Sequence, residues 1–188
     1  MAAFGKPPFG MIAFMAKNVE IKASAPRFDD LNKRAMKLAG GPGEVLLQED
    51  IFFQAERGRL KLRIFSPDSA ELISYERPDQ EGPKTSNYVI YKTERPDELR
   101  EVLSASLPPR GVVRKCRRLY KIGPTRVHLD EVDGLGRFVE LEVVLKEGQS
   151  EDQGRQIADE LMKHLDIRPE DLIDRAYIDL LQDLAEAT

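Results

Sequence analysis

The sequence predicts an α+β fold in which eight antiparallel strands curl into a closed barrel or tunnel flanked by helices. Three observations predict it. Eight segments carry strand patterning and are joined mostly by short turns. Several of them alternate between charged and apolar residues, which gives each strand one charged and one apolar face. The helical segments between and after them are amphipathic and cover the apolar faces, so the charged faces are left to point into a cavity. A small barrel filled by apolar side chains has the reverse arrangement.

Composition sets the limits. A chain of 188 residues is long enough for one domain with a real core. With 41% hydrophobic and 33% charged residues it is expected to be soluble and globular. A net charge of -4 argues against a nucleic-acid partner, since a general nucleic-acid binder is basic overall. No run is long and apolar enough to suggest a membrane partner. One cysteine, Cys116, rules out an intramolecular disulfide and fits a reducing compartment, so a cytoplasmic location is expected. Residues 1–16 are expected to form a loose tail, because Gly5, Pro7, Pro8 and Gly10 interrupt them and the apolar run over 11–16 is shorter than a secretory core. Residues 17–186 are then a single domain, as a monomer or a homodimer.

The elements follow in order. The first strand (17–23) contains Asn18-Val19-Glu20-Ile21-Lys22, with Asn18, Glu20 and Lys22 on one face. A helix over 27–39 carries Phe28, Leu31, Ala35 and Leu38 at helical spacing. It is stopped by Gly40-Gly41-Pro42-Gly43, which follows a helix and lacks the Gly-Lys-Ser/Thr of a phosphate loop. The second strand spans 44–54. The third, 59–65, sets Arg59, Lys61 and Arg63 against Leu60, Leu62 and Ile64. The fourth (71–77) ends at Arg77-Pro78, and the fifth covers 86–93. A helix over 96–106 opens with Pro96 and has Leu99, Val102, Leu103 and Ser106 on its inner stripe. The sixth strand (111–121) and the seventh (125–132) flank Gly123-Pro124. The eighth (138–145) sets Glu140 and Glu142 opposite Val139, Leu141 and Val143. A helix over 152–165 carries Ile157, Leu161 and Leu165, Pro169 begins a short turn, and 177–185 forms a last amphipathic helix.

The charged faces define the candidate chemistry. A single alternating strand is ordinarily the half-solvated face of a sheet. Here the charged sides of five strands are mostly basic in an acidic protein, so the basic excess is segregated. Charges inside a barrel neutralise one another or await a charged ligand. Lys and Arg beside a few carboxylates suit a polyanion with a hard divalent cation: guanidinium groups grip phosphate oxygens, and Mg²⁺ or Mn²⁺ takes carboxylate and phosphate oxygens together. His128 shares a face with Asp130 and has either a structural role or one orienting a phosphate or water. His164 is expected at the surface and Cys116 in core packing on the outer side. Tyr75 and Tyr88 are expected to pack, and Lys84 to be an exposed loop lysine. Of Glu49 and Asp50, one points inward. No zinc-type cluster or Ser-His-Asp grouping stands out.

Asn18-Val19-Glu20-Ile21-Lys22 resembles the Glu-x-Glu-x-Lys signature of the CYTH superfamily, the triphosphate tunnel metalloenzymes. The likeness continues through Lys61-Leu62-Arg63, Tyr75-Glu76-Arg77-Pro78, Val113-Arg114-Lys115-Cys116-Arg117, His128-Leu129-Asp130 and Gly134-Leu135-Gly136 to Glu140-Leu141-Glu142. It is greatest to the class IV adenylyl cyclase-like branch, with thiamine triphosphatase and inorganic triphosphatases as cousins. The resemblance implies a tunnel that takes a triphosphate (ATP, thiamine triphosphate or tripolyphosphate) with Mg²⁺ or Mn²⁺. It implies metal ligation by Glu20, Asp130, Glu140 and Glu142, and catalytic cations at Lys22, Lys61, Arg63, Lys115 and Arg117. Lys61, Arg63, Lys115 and Arg117, with Arg77, would also bind substrate; Lys92 and Arg126 join them by strand face alone. The implied activity is cyclisation of ATP to cAMP and pyrophosphate, or triphosphate hydrolysis. Asn18 departs from the signature, since a neutral amide stands where the family has a carboxylate. That departure also admits a protein that binds a nucleotide or polyphosphate without turnover.

Overall fold

Every expected strand and helix is present, with ends within about two residues of the expected bounds. The computed structural model describes residues 16–80 and 82–187. Its strands are β1 (Ala16–Ser24), β2 (Glu44–Phe53), β3 (Arg59–Ser66), β4 (Ser69–Glu76), β5 (Lys84–Thr93), β6 (Pro109–Ile122), β7 (Thr125–Val132) and β8 (Gly136–Val144). Its helices are α1 (Phe28–Ala39), α2 (Pro96–Ser106), α3 (Glu151–Leu165) and α4 (Tyr177–Glu186), with a 3-10 turn at Pro169–Asp171. The strands close into a barrel in the order β1-β5-β4-β3-β2-β6-β7-β8. Each neighbouring pair is antiparallel, and β1 makes the closure between β5 and β8. Of the expected tail over 1–16, residues 1–15 lie outside the described residues, and Ala16 begins β1.

Local chemistry sets the helix ends. Gly40 takes the left-handed conformation after α1, and the Gly41 N–H closes on the Met36 carbonyl at 3.1 Å, so the glycine cluster is a helix stop. Ser150 and Gln153 form a reciprocal capping box at the start of α3. No helix among the described residues is long and apolar enough to cross a membrane.

The core lies largely outside the barrel wall. Val19, Ile21 and Ala23 of β1, Val127 and Leu129 of β7, and Val139, Leu141 and Val143 of β8 are buried beneath α1 and α3. A second cluster puts Ile51, Phe53, Leu62 and Ala70 against Leu99, Leu103 and Leu107 of α2 and its end. Val102, expected on that inner stripe, is exposed, because α2 turns its 99/103/107 edge to the barrel instead. Full burial of each large aliphatic side chain contributes about 1.5–3 kcal/mol, so these apolar faces hold the helices in place.

α4 and the segment before it close one end of the barrel. Ala176, Tyr177 and Ile178 form a buried cluster with Phe52, Val113, Val132 and Phe138. Cys116 does face outward from β6, opposite Leu47 and Glu131. It is only half-buried and outside the core clusters, because neighbouring Leu47 is 70% exposed on a stretch of wall without helix cover.

The β2–β3 turn depends on Gly58, which has φ +61°. A Cβ there would lie 2.5 Å from the Tyr75 carbonyl oxygen, a rigid backbone atom. Gly58→Ala is expected to cost about 1–3 kcal/mol through left-handed strain and this clash. Urea denaturation checks it, and an unchanged midpoint would contradict the account.

Candidate functional site

The inner faces of the strands enclose a cavity of about 240 Å³. Strand alternation decides what lines it. β1 contributes Asn18, Glu20 and Lys22; β2 contributes Gln48, Asp50 and Phe52; β3 contributes Lys61, Arg63 and Phe65. On β4 the inward set is Glu71, Ile73 and Tyr75, and Arg77 continues it just past the strand's end, while Glu76 is exposed. The competition between Glu76 and Arg77 for the inner position is therefore settled by parity. Ala176 and Tyr177 form the floor.

One wall, built by β2, β3 and β6, is basic and is organised by Asp50. Lys61 Nζ donates to Asp50 Oδ2 at 3.0 Å and Lys115 Nζ at 2.8 Å. Arg63 grips both oxygens, Nε to Oδ1 at 2.7 Å and Nη2 to Oδ2 at 2.8 Å. Burial alone would raise the Asp50 carboxyl, but Arg63, Lys115 and Lys61 outweigh it and hold it well below the usual range. The lysines bear the opposite strain. Burial and the repulsion of Arg63 push Lys61 down to about 7, although Asp50 opposes the fall. Burial pushes Lys115 down to about 8, helped by Arg63 and Arg117 and resisted by Asp50. Three cationic side chains share one carboxylate, so this wall is short of negative charge.

Arg117 extends the same wall. It makes a two-bond fork with Asp130 at 2.7 and 2.6 Å and reaches Glu140 Oε2 at 2.5 Å. The Tyr177 hydroxyl donates to Asp130 Oδ2 at 3.0 Å. Asp130, expected beside a metal, is fully buried, and both its oxygens accept from Arg117.

The facing wall, built by β1, β7 and β8, is acidic. Glu20 is the register partner of Glu142, and Glu140 is the partner of both Lys22 and His128. Lys22 Nζ lies 2.5 Å from Glu140 Oε1 and 3.5 Å from the centre of the Tyr177 ring. Burial would raise the Glu140 carboxyl, but Lys22, Arg117 and His128 hold it well below its usual range. Glu20 goes the other way: burial raises its carboxyl, Glu140 and Glu142 add to the rise, and Arg77, 2.5 Å from Oε1, only partly opposes it. Like charges directly across a strand pair are destabilising.

A divalent cation fits this wall. One ligand atom from each of His128, Glu140 and Glu142 lies within 4.8 Å of the others. Asn18 Oδ1 and His128 Nδ1 are buried without hydrogen-bond partners, and both residues line the cavity. Glu20, with its raised carboxyl, is where added positive charge would bring most relief. Asn18 stands two residues before it on the same face.

The remaining expected residues separate by position. Arg126 lines the cavity, partly exposed, 3.6 Å from Glu142. Lys92 does not line it: its side chain is 82% exposed and lies 3.7 Å from Glu71, because β5 has by then reached the barrel rim. Lys84, expected as an exposed loop lysine, is the first residue of β5 and fully buried. Its Nζ donates to the carbonyls of Gln80 at 2.9 Å and Asp174 at 3.2 Å, which ties the segment before α4 to the barrel. His164 is exposed on α3, as expected. Tyr75 and Tyr88, expected to pack, line the cavity.

The end away from α4 is different in character. Leu46, Phe65, Ile90 and Leu119 line the cavity there, with the partly exposed Arg126. An expectation of charge throughout the interior missed this apolar mouth.

The chain is a closed antiparallel barrel whose cavity has opposed basic and acidic inner walls. The CYTH domain model matches residues 16–177, and the chain belongs to the CYTH family. A protein of Methanocaldococcus jannaschii named "Putative adenylate cyclase" is 29% identical over 175 residues, covering 86% of this chain and 97% of its own. The structure of the PH1012 protein from Pyrococcus horikoshii OT3 matches with TM-score 0.76 at 22% identity, covering 87% of this chain and 98% of that one. A conserved hypothetical protein from Pyrococcus furiosus matches with TM-score 0.75 at 22% identity, covering 87% and 99%. These two structures share the fold.

Asp50→Asn would leave Lys61, Arg63 and Lys115 without their carboxylate. Breaking a buried charge network on one side costs about 3–5 kcal/mol, so the urea midpoint should fall accordingly. An unchanged midpoint would mean that the basic wall does not depend on Asp50. In the wild type, the depressed Asp50 and Glu140 carboxyls stabilise the fold above their ordinary values of 3.8 and 4.5, and that contribution is lost as the pH falls below them.

Proposed function

We propose that this protein is a metal-dependent enzyme that draws an organic triphosphate into the barrel and cyclises ATP to cAMP and pyrophosphate. One observation carries the reading: a buried basic wall and a buried acidic wall face each other across one cavity. Lys61, Arg63, Lys115 and Arg117 match phosphate oxygens, and Arg77 extends the set. An anion among them supplies the negative charge that the Asp50 cluster lacks. Glu20, Glu140 and Glu142 match a hard cation shared with the phosphates. Bound Mg²⁺ or Mn²⁺ would neutralise phosphate charge and act as a Lewis acid.

The chain's own residues do the rest. Lys22, Lys61, Arg63, Lys115 and Arg117 stabilise charge that builds on the transferring phosphorus oxygens and the departing pyrophosphate. Asp130 and Tyr177 keep Arg117 aimed. In cyclisation the ribose 3′-oxygen bonds to the α-phosphorus, the bond from that phosphorus to the bridging oxygen breaks, and the hydroxyl proton is lost to water. The apolar mouth at Leu46, Phe65, Ile90 and Leu119 favours a substrate with an organic group over bare tripolyphosphate. Similarity to a relative named for adenylate cyclase supports ATP. The free thiol of Cys116 and the use of ATP fit the cytoplasm. A second reading, binding without turnover, is favoured by Asn18, where the family signature has a carboxylate.

A substrate panel tests both. The protein is incubated with Mg²⁺ or Mn²⁺ and ATP, tripolyphosphate or thiamine triphosphate, and cAMP, pyrophosphate and phosphate are assayed. Cyclisation gives cAMP with pyrophosphate. Phosphate alone makes the enzyme a hydrolase, and a thermal shift without product supports the second reading. No shift with any triphosphate overturns the proposal. Lys61→Ala and Glu140→Gln should lower kcat by about 10²–10³-fold with the protein still folded. Phe65→Ala should raise KM for ATP by about tenfold, equivalent to about 1.4 kcal/mol, and leave tripolyphosphate binding little changed.

Binding should also take up protons. Lys61 and Lys115, lowered to about 7 and about 8, are partly neutral at pH 8 in the free protein. A bound polyanion favours their charged forms. Calorimetry at pH 8 in buffers of different ionisation enthalpy should therefore detect net uptake on triphosphate binding, and net release would contradict the role of these lysines.

A further inference from the structure

His128 rises from β7 as the register partner of Glu140 and lines the cavity. It is 4% exposed, and its Nδ1 is buried without a hydrogen-bond partner. That nitrogen lies 3.7 Å from Glu140 Oε2 and 3.8 Å from Glu142 Oε1. These separations are too long for hydrogen bonds. They leave room for an ion that all three residues could hold, since one ligand atom from each lies within 4.8 Å of the others. An unpartnered buried polar group costs about 1–3 kcal/mol, and Nδ1, without a hydrogen bond, has the charges of Glu140 and Glu142 within 3.8 Å. Each glutamate oxygen that already accepts a hydrogen bond keeps a second lone pair.

We propose that His128 Nδ1, Glu140 and Glu142 hold one metal ion together and that this mixed set selects Mn²⁺ over Mg²⁺. Mg²⁺ favours an all-oxygen octahedron and gains little from imidazole, whereas first-row transition ions gain from nitrogen. Asn18 acts in the same direction. An amide in the first position of the signature removes a full negative charge from the acidic wall, and a hard ion held chiefly by charge loses more from that than one with a nitrogen ligand. The assignment rests on the proposed function only in placing the ion in the same cavity, and it needs no turnover.

The test uses the whole chain free of metal. Mn²⁺ is titrated in and the free ion followed by EPR, with Mg²⁺ as competitor; Mn²⁺ should bind at least tenfold more tightly. Pulsed EPR on protein carrying ¹⁵N-labelled histidine should show coupling of Mn²⁺ to one imidazole nitrogen. The chain has two histidines, and the other, His164, is exposed on α3. His164→Gln should keep the coupling. His128→Gln should abolish it and bring Mn²⁺ affinity to within about threefold of Mg²⁺. Bound Mn²⁺ without nitrogen coupling, equal affinities for the two ions, or no Mn²⁺ binding would each overturn the assignment. The wild-type spectrum decides even if His128→Gln fails to fold. Tripolyphosphate binding is measured separately by calorimetry. If the anion does not bind but the nitrogen coupling is present, the metal assignment stands and the proposed function falls; the reverse result removes the metal assignment alone.

Discussion

Asp50 accepts hydrogen bonds from Lys61, Arg63 and Lys115 in a space nearly closed to water, and the interior of the barrel depends on that convergence. Without it, three cations on neighbouring strands would repel one another in low dielectric, where such repulsion is poorly screened. With it, the strands can carry Lys and Arg inward while their apolar sides face the helices. The compensation is incomplete, and the lowered lysines record the shortfall. The interior is stable enough to fold and keeps an excess of positive charge on this wall.

The two walls are linked. Arg117 spans from Asp130 to Glu140, and Lys22 lies between Glu140 and the face of Tyr177. Tyr177 also holds Asp130, so the first residue of α4 touches both the orienting pair behind Arg117 and the cation beside the acidic wall. Lys84 ties the segment leading into α4 back to β5. The C-terminal helix is therefore part of the site and not merely cover for the barrel.

Much of the fold was legible because the strands that state it most plainly are two-faced. The 59–65 segment alternates almost without fault and 138–145 does so apart from Phe138 and Val144, so parity places Lys61, Arg63, Glu140 and Glu142 inside. β2 does not alternate: Leu46, Leu47, Gln48, Glu49 and Asp50 give no single apolar face, so Asp50 could not be told from Glu49. Its register against Arg63 was needed, and register is a tertiary fact. Lys92 had the right parity but lay too far along β5, where parity says nothing about depth. Tyr177 carried no signal, since its role arises from α4 folding across the barrel end. Asp130 lies on the face that parity predicts, and its fork with Arg117 depends on the β6–β7 register. Lys84 was read as a loop residue because Pro83 precedes it, whereas β5 begins immediately after that proline.

The floor formed by Ala176 and Tyr177 has a consequence for traffic. A barrel plugged at one end has a single doorway, lined here by Leu46, Phe65, Ile90 and Leu119 together with the charged Glu71 and Arg126. A molecule entering with its most charged end first would pass these residues to reach the cations and would leave by the same route. In the proposed reaction the organic part would lie nearest the exit, with the charged fragment behind it among Lys61, Arg63 and Lys115. Under the proposed cyclisation, departure would be ordered by depth: the organic fragment would go first, and the inorganic fragment, deeper among the basic side chains, last.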